Sequence, residues 1–267
     1  MNGSWEIAQE EGVTRIGRVL AAAALVMAGV LAGSLQGQAL PNADEVIGTY
    51  VEAIGGREAH TSHRSIRSVG SISMPGLGLH GEFEVLQIAP NEMVTRVQLP
   101  GVGEILSGFD GERGWSVNPL TGPLVLSGSE LAEARERADM LAALRDRSIV
   151  PGRETIGLAE VDGEACWRVQ LRWLSERESF DCYSEITGLL LASEDSRTSA
   201  MGEIRVVTRF LDYREFHGMV VPTTLVQTSM GQTQEMSVRN VYVGDVDGAE
   251  LAPPPSIRTL LGAAPDL

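Results

Sequence analysis

From Ser65 onward, apolar and polar residues alternate with a period of two, and this alternation constrains the fold more than any other feature of the chain. In the segment 92–99, for example, Met93, Val97 and Leu99 fall on one side of an extended chain while Arg96 falls on the other. Since successive side chains of a β-strand point to opposite faces, this pattern predicts strands with one apolar and one polar face.

Twelve segments follow this rule and are the predicted strands: 65–74, 79–89, 92–99, 102–109, 113–118, 154–161, 164–173, 178–184, 189–195, 203–213, 219–229 and 233–243. Short turns that contain Gly or Pro separate most of them, as at Pro75-Gly76 and Asp162-Gly163. Connections this short favour antiparallel hairpins over parallel βαβ units. Because no long linker divides the chain, the sequence predicts a mainly β protein with a single antiparallel domain of about a dozen strands.

A first amphipathic helix is predicted directly before the strands. It begins near Asn42, carries Val46, Tyr50 and Ile54 on one side, and ends at Gly55-Gly56, where glycine supplies the left-handed stop. The spacing of the apolar residues predicts that this helix lies on an apolar surface.

A second covering helix is predicted over 130–147, behind an N-cap at Ser127 or Ser129. Leu131, Leu141 and Leu144 contribute to its apolar stripe, and its other side is charged. The tail 251–267 contains three consecutive prolines and is expected to form either a loose end or an edge cap.

The first 39 residues are predicted to be a secretory signal. An apolar run over 19–33 follows Arg15 and Arg18, and Gly37 and Ala39 are small residues suited to cleavage between Ala39 and Leu40. A run of this length is short of the roughly 20 residues that span a bilayer, so periplasmic export with cleavage is favoured over an uncleaved inner-membrane anchor. Acidic residues before position 13 are unusual in a signal, and a translation start at Val13, without residues 1–12, is the alternative.

Composition excludes several classes of function. The chain has 36 acidic and 21 basic residues and a formal net charge of -15, which repels nucleic acid and anionic membrane surfaces. All of the basic residues are Arg, so Schiff-base chemistry and the lysine of a phosphate-binding loop are excluded. Nucleic acid is therefore not an expected partner.

No motif in the sequence predicts a catalytic, cofactor or metal site. The segment 76–81 fits the letters G-x-G-x-x-G, but it lies between two predicted strands rather than at the start of a helix, which indicates a hairpin turn. The four histidines show no metal-ligand spacing, and no G-x-S-x-G nucleophile motif is present. The sequence thus predicts a protein that is not an enzyme and that binds no cofactor or metal.

The apolar faces of the strands are the candidate binding surface. They suit either a filled core or a cavity for an apolar ligand, and the sequence leaves both open. The candidate cavity residues are Phe83, Val85, Met93, Val97, Leu99, Trp115, Trp167, Val169, Leu171, Val206 and Phe210.

Cys166 and Cys182 are the only cysteines and are predicted to form a disulfide. Export places them in an oxidising compartment, where an even number of cysteines is expected to pair. They are equidistant from Leu174, the expected centre of a hairpin, and should therefore lie directly opposite one another. A one-residue shift in register would place them on opposite faces as two small buried residues.

Several segments resemble the outer-membrane lipoprotein-sorting superfamily of periplasmic carriers. The resemblance rests on the turn Val161-Asp162-Gly163 with the strand 167–171, on Thr187-Gly188-Leu189, on Asp212-Tyr213-Arg214 followed by Gly218 and Pro222, and on the strand 238–243. It covers most of residues 41–250, and its motifs mark turns and strands rather than chemistry. No functional residue of the carriers is transferred to this chain.

The resemblance implies an incompletely closed antiparallel β-barrel over 40–250, capped by two α-helices, whose hollow side receives lipid acyl chains. Three functions remain open: a periplasmic carrier of lipid or lipoprotein acyl chains, an envelope sensing or scaffolding module with a protein partner and no cargo, and an unrecognised hydrolase. The carrier is the preferred hypothesis, because a helix-capped half-barrel offers an apolar cavity.

Overall fold

The structure is a computed structural model that describes residues 39–199 and 202–262. The predicted signal sequence, apart from Ala39, lies outside the described residues, and its cleavage stays a prediction. None of the helices in the described part of the chain is long and apolar enough to cross a bilayer.

Thirteen strands of the described residues form one antiparallel sheet with the order β6-β5-β4-β3-β2-β1-β13-β12-β11-β10-β9-β8-β7. Because β6 and β7 remain at opposite edges, the sheet is an open half-barrel, as predicted. The strands are β1 (Ser65–Met74), β2 (Leu79–Ile88), β3 (Glu92–Leu99), β4 (Gly103–Asp110), β5 (Gly114–Asn118), β6 (Gly122–Val125), β7 (Gly152–Val161), β8 (Glu164–Arg172), β9 (Glu178–Ser184), β10 (Leu190–Ser199), β11 (Gly202–Phe216), β12 (Met219–Ser229) and β13 (Gln232–Val243).

The sheet joins two halves of the chain along a single seam. Strands β1–β6 form one meander and β7–β13 a second, and the first strand pairs with the last, from Ile66 opposite Val243 to Ser73 opposite Glu235. A bulge between Val69 and Gly70 shifts the register within this pair. Gly70 is required there, because a side chain would collide with the carbonyl oxygen of Ser237 and with the ring of Phe83.

The described residues contain four α-helices rather than the two predicted: α1 (Ala43–Ala53), α2 (Gly56–Thr61), α3 (Gly128–Ala138) and α4 (Pro255–Leu260). The predicted helix 130–147 is wrong beyond Ala138, because extended Asp139 ends α3 and caps a 3-10 segment over Met140–Leu144. The sequence also missed β6, a four-residue edge strand that contains Pro123 and is too short for a clear alternation.

The two faces of the sheet are covered by different parts of the chain. We call the face that contacts α1 and α3 the helix face, and the opposite one the tail face. On the helix face, Val46, Ile47 and Tyr50 of α1 pack in one cluster with buried residues of β8–β10, including Leu171 and Tyr183. This half of the helix face is therefore a filled core.

The tail face of β2–β5 is covered by the C-terminal segment. Leu251 and Ile257 pack there with Leu86, Val94 and Trp115. Helix α4 also lies beside the edge strand β6. Up to residue 262, the tail is therefore an edge cap rather than a loose end.

An ion network fixes the start of this C-terminal segment to the tail face. The guanidinium of Arg67 donates to Glu84 at 2.5 Å and to Glu250 at 2.9 Å, and Arg96 donates to Glu84 at 2.8 Å. Arg96 also donates to the backbone oxygen of Glu250 at 2.6 Å. Since each charge has a partner of opposite sign, the network sets the position of the segment without leaving a buried charge unpaired.

The predicted disulfide between Cys166 and Cys182 is present, and both residues are fully buried on the tail face. The expected direct opposition is wrong: Cys166 lies opposite Ser184, and Cys182 lies opposite Arg168. The reason is the turn, which is centred on Ser175 rather than Leu174 and shifts the register by two residues. A shift of two keeps both cysteines on one face, and their Cα atoms are 5.4 Å apart, within bonding range.

The junction between α1 and α2 is docked on the turn between β11 and β12. The backbone N–H of Val220 donates to the oxygen of Ile54 at 2.8 Å, and buried His60 lies with its Nε2 3.0 Å from the same oxygen. A side chain on Gly55 would collide with the carbonyl oxygen of Gly218. Burial lowers the pKa of His60, with nearby His63 acting in the same direction and the backbone hydrogen bond opposing both.

The first prediction concerns the disulfide. Replacing both residues, Cys166→Ala with Cys182→Ala, should lower the free energy of unfolding by at most about 3 kcal/mol, because the closed loop is short and the hairpin already restrains it. Denaturant melts of oxidised wild type, reduced wild type and the double variant measure this. A wild-type melt that is unchanged by reductant would contradict a stabilising role.

The second prediction concerns the C-terminal cover. Ile257→Ala should lower the free energy of unfolding by about 2–5 kcal/mol, because it leaves a cavity against the tail face. Leu260→Ala in the same helix is the matched control and should change it by less than about 0.5 kcal/mol, since Leu260 is exposed. Equal effects of the two variants in urea melts would show that the segment does not contribute through this packing.

The third prediction concerns pH. Because the pKa of His60 is lower in the folded protein than in the unfolded chain, the unfolded chain binds more protons as the pH falls below about 6.5. The free energy of unfolding should therefore decrease between about pH 7 and pH 5.5. His60→Gln should flatten this slope, while His80→Gln, at an exposed hairpin end, should not. Identical slopes for wild type and His60→Gln would count against the assignment.

Candidate functional site

A cavity of about 220 Å³ lies on the helix face at the seam between β1 and β13. Its floor comes from four neighbouring strands, β2, β1, β13 and β12, and its roof from the 3-10 segment and α2. The lining residues are His60, Ile66, Ser68, Gln87, Arg137, Asp139, Met140, Ala142, Ala143, Met219, Val221, Pro222, Val238 and Val241. Most of these side chains are apolar, so the cavity suits an apolar group.

Three ionisable side chains are among the residues that line this cavity. Arg137 is near the end of α3 and forms a long ion pair with Glu133 at 3.6 Å. Asp139 accepts a hydrogen bond from the backbone of Leu141 at 2.9 Å, and burial raises the pKa of its carboxyl group despite that bond. Together with His60, these residues add ionisable groups to a mostly apolar lining.

The 3-10 segment of the roof belongs to residues 128–150, which we call the cover segment. Its first half is held by buried Glu136, whose Oε1 accepts from the backbone of Ser175 at 2.6 Å and whose Oε2 lies 3.5 Å from Arg177. In the 3-10 segment, the N–H of Met140 donates to the oxygen of Pro90 at 3.2 Å. The cover segment is thereby attached to hairpin turns of both meanders.

The second half of the cover segment is held by a buried ion pair. The Nε of Arg145 donates to Oδ2 of Asp181 at 2.7 Å, and the hydroxyl of Tyr183 donates to the same oxygen at 2.8 Å. Burial raises the pKa of Tyr183 well above its usual range, and the charge of Asp181 adds to this effect. Removing one partner of such a pair leaves a buried charge, so the pair fixes the position of the cover.

An apolar patch continues the cavity along the helix face. Its buried members are Ile72, Phe83 and Leu99, and its half-buried members are Met74, Leu79, Val85, Val97, Val102, Ile105, Met236 and Val238. Val238 also lines the cavity, so cavity and patch share one side chain. We call the two together the apolar site.

The structure does not bring all of the predicted cavity residues together. Phe83, Val85, Val97 and Leu99 belong to the apolar patch. Met93 packs beside α3, Val206 is buried on β11, and Trp167, Val169, Leu171 and Phe210 belong to the core beneath α1.

Trp115 is the exception, because it packs on the tail face with Leu251 and Ile257. The pairing of Phe109 with Gly114 places Gly114 on the helix face and therefore turns the next residue, Trp115, to the other side. The alternation within a single strand does not indicate which of its two sides meets the helices, so the face of Trp115 could not be predicted from it.

The sequence also missed most of the residues that line the cavity. Ile66, Met219, Val221 and Val241 were placed in strands but not in the site, because their proximity depends on the long-range pairing of β1 with β13. For His60, the sequence showed only a histidine that follows the end of a predicted helix, which does not indicate a place in the site. The alternation of residues within β1 and β12 was the one available indication that the strand residues of the cavity share a face.

A larger cavity of about 490 Å³ lies between α3, the β8–β9 turn and β10. Six of its ten lining residues are charged, including Glu133, Arg177 and Asp195. It is thus a poor site for an apolar ligand. In the described part of the chain, no group of three or more His, Cys, Asp or Glu side chains could hold a metal ion.

The chain matches no protein-family model and no curated protein. Its fold is similar to that of a LolA-superfamily protein from Nitrosomonas europaea, with 13% identity, a TM-score of 0.54, and coverage of 80% of this chain and 98% of the other. A DUF1329-family protein from Desulfovibrio piger gives 14% identity and a TM-score of 0.54, with coverage of 79% and 97%.

A domain from Vibrio parahaemolyticus described as an outer-membrane lipoprotein-sorting protein gives 12% identity, a TM-score of 0.52, and coverage of 79% and 97%. Likeness at such low identity concerns the fold and not the ligand. The resemblance is therefore confirmed for the fold alone: the chain has the same half-barrel fold as these three proteins.

Proposed function

We propose that this chain is an exported, non-catalytic binding protein or carrier for lipid or lipoprotein acyl chains, held in the apolar site. The observation that carries the proposal is the continuity between a covered cavity at the sheet seam and the apolar patch, which share Val238. An acyl chain is a linear apolar ligand, and a covered cavity that continues into an apolar surface removes such a ligand from water.

The ionisable groups that line the cavity support this proposal. His60, Arg137 and Asp139 lie where the polar end of an amphipathic ligand can meet hydrogen-bonding groups while its chain contacts Val221 and Val238. Apolar walls with a few placed polar groups are typical of lipid and small-molecule sites. The relatives named for lipoprotein sorting agree with this class of ligand.

A second candidate is an envelope sensing or scaffolding module that carries no cargo. The observation that favours it is the packed half of the helix face, where buried residues of α1 and β8–β10 form one apolar cluster. Under this alternative the cavity at the seam is a packing defect, and an envelope protein is the ligand.

The fourth prediction separates the two candidates. A dansyl-labelled undecanoic acid should bind the exported protein with an increase in fluorescence, and Val238→Phe should weaken binding by about tenfold or more because the ring fills the junction of cavity and patch. An added probe is needed because Trp115, Trp167 and Trp173 lie on the tail face or beneath α1.

Val226→Phe is the matched control, since Val226 lies on β12 with its side chain on the opposite face. It should bind the probe like the wild type. Solvent extraction of protein purified from its own periplasm, followed by mass spectrometry, should release lipid. No probe binding together with no extracted lipid would exclude the carrier and leave the module.

A further inference from the structure

Four neighbouring turns along one edge of the sheet contain no charged residue. Strand direction alternates across the sheet, so the turns β1–β2, β3–β4, β5–β6 and β12–β13 all lie at the same edge. Their sequences are Pro-Gly-Leu-Gly at 75–78, Pro-Gly-Val at 100–102, Pro-Leu-Thr at 119–121 and Met-Gly at 230–231. We call these four turns the rim.

The rim exposes its large apolar side chains to solvent. Leu77, Leu120 and Met230 are 60%, 83% and 66% exposed. Isolated exposed apolar residues are ordinary on soluble proteins, but these are at the tips of turns from eight consecutive strands. Such a concentration at one edge requires a reason.

Neighbouring turns of the rim are close together. A Cβ atom on Gly76 would lie 2.7 Å from Oε1 of Gln232, which places the β1–β2 turn beside the β12–β13 turn. A Cβ atom on Gly103 would lie 3.1 Å from Cγ of Pro119, which places the β3–β4 turn beside the β5–β6 turn. The rim therefore consists of two contacting pairs of turns rather than four separate tips.

The opposite edge of the sheet has a different composition. Its turns carry Glu112, Arg113, Asp162, Glu185 and His217. Ile186 is its one large exposed apolar residue among the turns described there. The β8–β9 turn lies at the same edge as the rim but contains the charged residues Glu176 and Arg177, so it is not part of the rim. The apolar character thus belongs to one part of one edge.

The rim is also the edge at which the apolar patch reaches the surface. Met74 and Leu79 flank the β1–β2 turn, Val102 belongs to the β3–β4 turn, and Met236 lies near the start of β13. Exposed tips and half-buried patch residues therefore form one apolar region that leads toward the cavity.

We infer that the rim docks on the surface of a lipid bilayer, with Leu77, Leu120 and Met230 entering the boundary between headgroups and acyl chains. Burial of a few apolar side chains at this depth gives weak, reversible attachment, which suits a protein that must leave again. The inference goes beyond the proposed cargo site, because a rim of this kind contacts the membrane whether or not the cavity holds a ligand.

The charge of the protein specifies the kind of membrane. The rim turns contain no Arg, the chain has no Lys, and the net charge is -15. Anionic bilayers attract basic segments and repel acidic proteins. The expected surface is therefore zwitterionic, and attraction to anionic headgroups contributes nothing.

Flotation with phosphatidylcholine vesicles tests this inference on the exported protein. Wild type should float with the vesicles, and the rim variant L77S/L120S/M230S should bind about tenfold more weakly or not at all. The matched control L158S/I186S/L260S removes three exposed apolar side chains elsewhere and should bind like wild type. All proteins share one N-terminus, so differences report the substituted sites.

Several outcomes would overturn the inference. These are no flotation of wild type, equal binding of the rim variant, equal loss in the control, or stronger binding when one lipid in about three is phosphatidylglycerol. Thermal melts check that each variant is folded. Titration with the dansyl probe in the absence of vesicles separates rim from cargo site: the rim variant should keep probe binding, and loss of both would assign the tips to the cargo site instead.

A second measurement reports insertion directly. A polarity-sensitive label on Leu120→Cys should be quenched by brominated lipids, while the same label on Ile186→Cys should not. The native cysteines are paired and fully buried, so they do not compete for the label. Equal quenching at both positions would show non-specific adsorption and would reject insertion of the rim.

Discussion

The pairing of β1 with β13 is the interaction on which the rest of the structure depends. Each meander is stabilised by local hairpins, but only this pair joins residues 65–125 to residues 152–243 in one sheet. The cavity lies across this seam, with walls from the two strands on either side of it. The β1–β2 and β12–β13 turns of the rim also flank it. Without this pair, neither the cavity nor the rim would exist as a unit.

Apolar residues lie on both faces of the thirteen-stranded sheet, and separate covering elements bury part of each face. On the helix face α1 and the cover segment provide that cover, and on the tail face the C-terminal segment does. Each covering element combines apolar packing with ion pairs: Arg145 with Asp181 on one face, and Arg67 with Glu84 and Glu250 on the other. The packing supplies stability, while the paired charges fix position.

Local features of the sequence predicted much of this arrangement. Alternation and turn residues gave twelve of the described strands within a few residues, because hairpins depend on neighbouring sequence. The disulfide was predicted from the expected export and the even number of cysteines. The predicted register was wrong by two residues, but a shift of two leaves both cysteines on the same face of the sheet. The first helix followed from its spacing and its glycine stop.

The failures have a common physical origin in contacts between distant segments. The end of α3 at Asp139 follows from the docking of the 3-10 segment on Pro90 and Asp181, which the helical pattern of 130–147 does not reveal. The packing of Trp115 on the tail face has the same origin, since the partner that buries it is the C-terminal segment. Of the predicted cavity residues, those on β2 and β3 lie in the apolar patch, and their role in binding stays a prediction.

The position of the cover segment relates the cavity to the rim. The roof of the cavity comes from 140–144 and α2, whereas α3 packs on Phe109 and Met93, at the edge of the first meander opposite the rim. The polar groups His60, Arg137 and Asp139 therefore lie at the covered end, and the rim end has none of them. An amphipathic ligand in the apolar site, as proposed above, would therefore meet these three groups only beneath the cover. The asymmetry of the site follows from where the helices pack, because the helices leave the rim end of the seam uncovered.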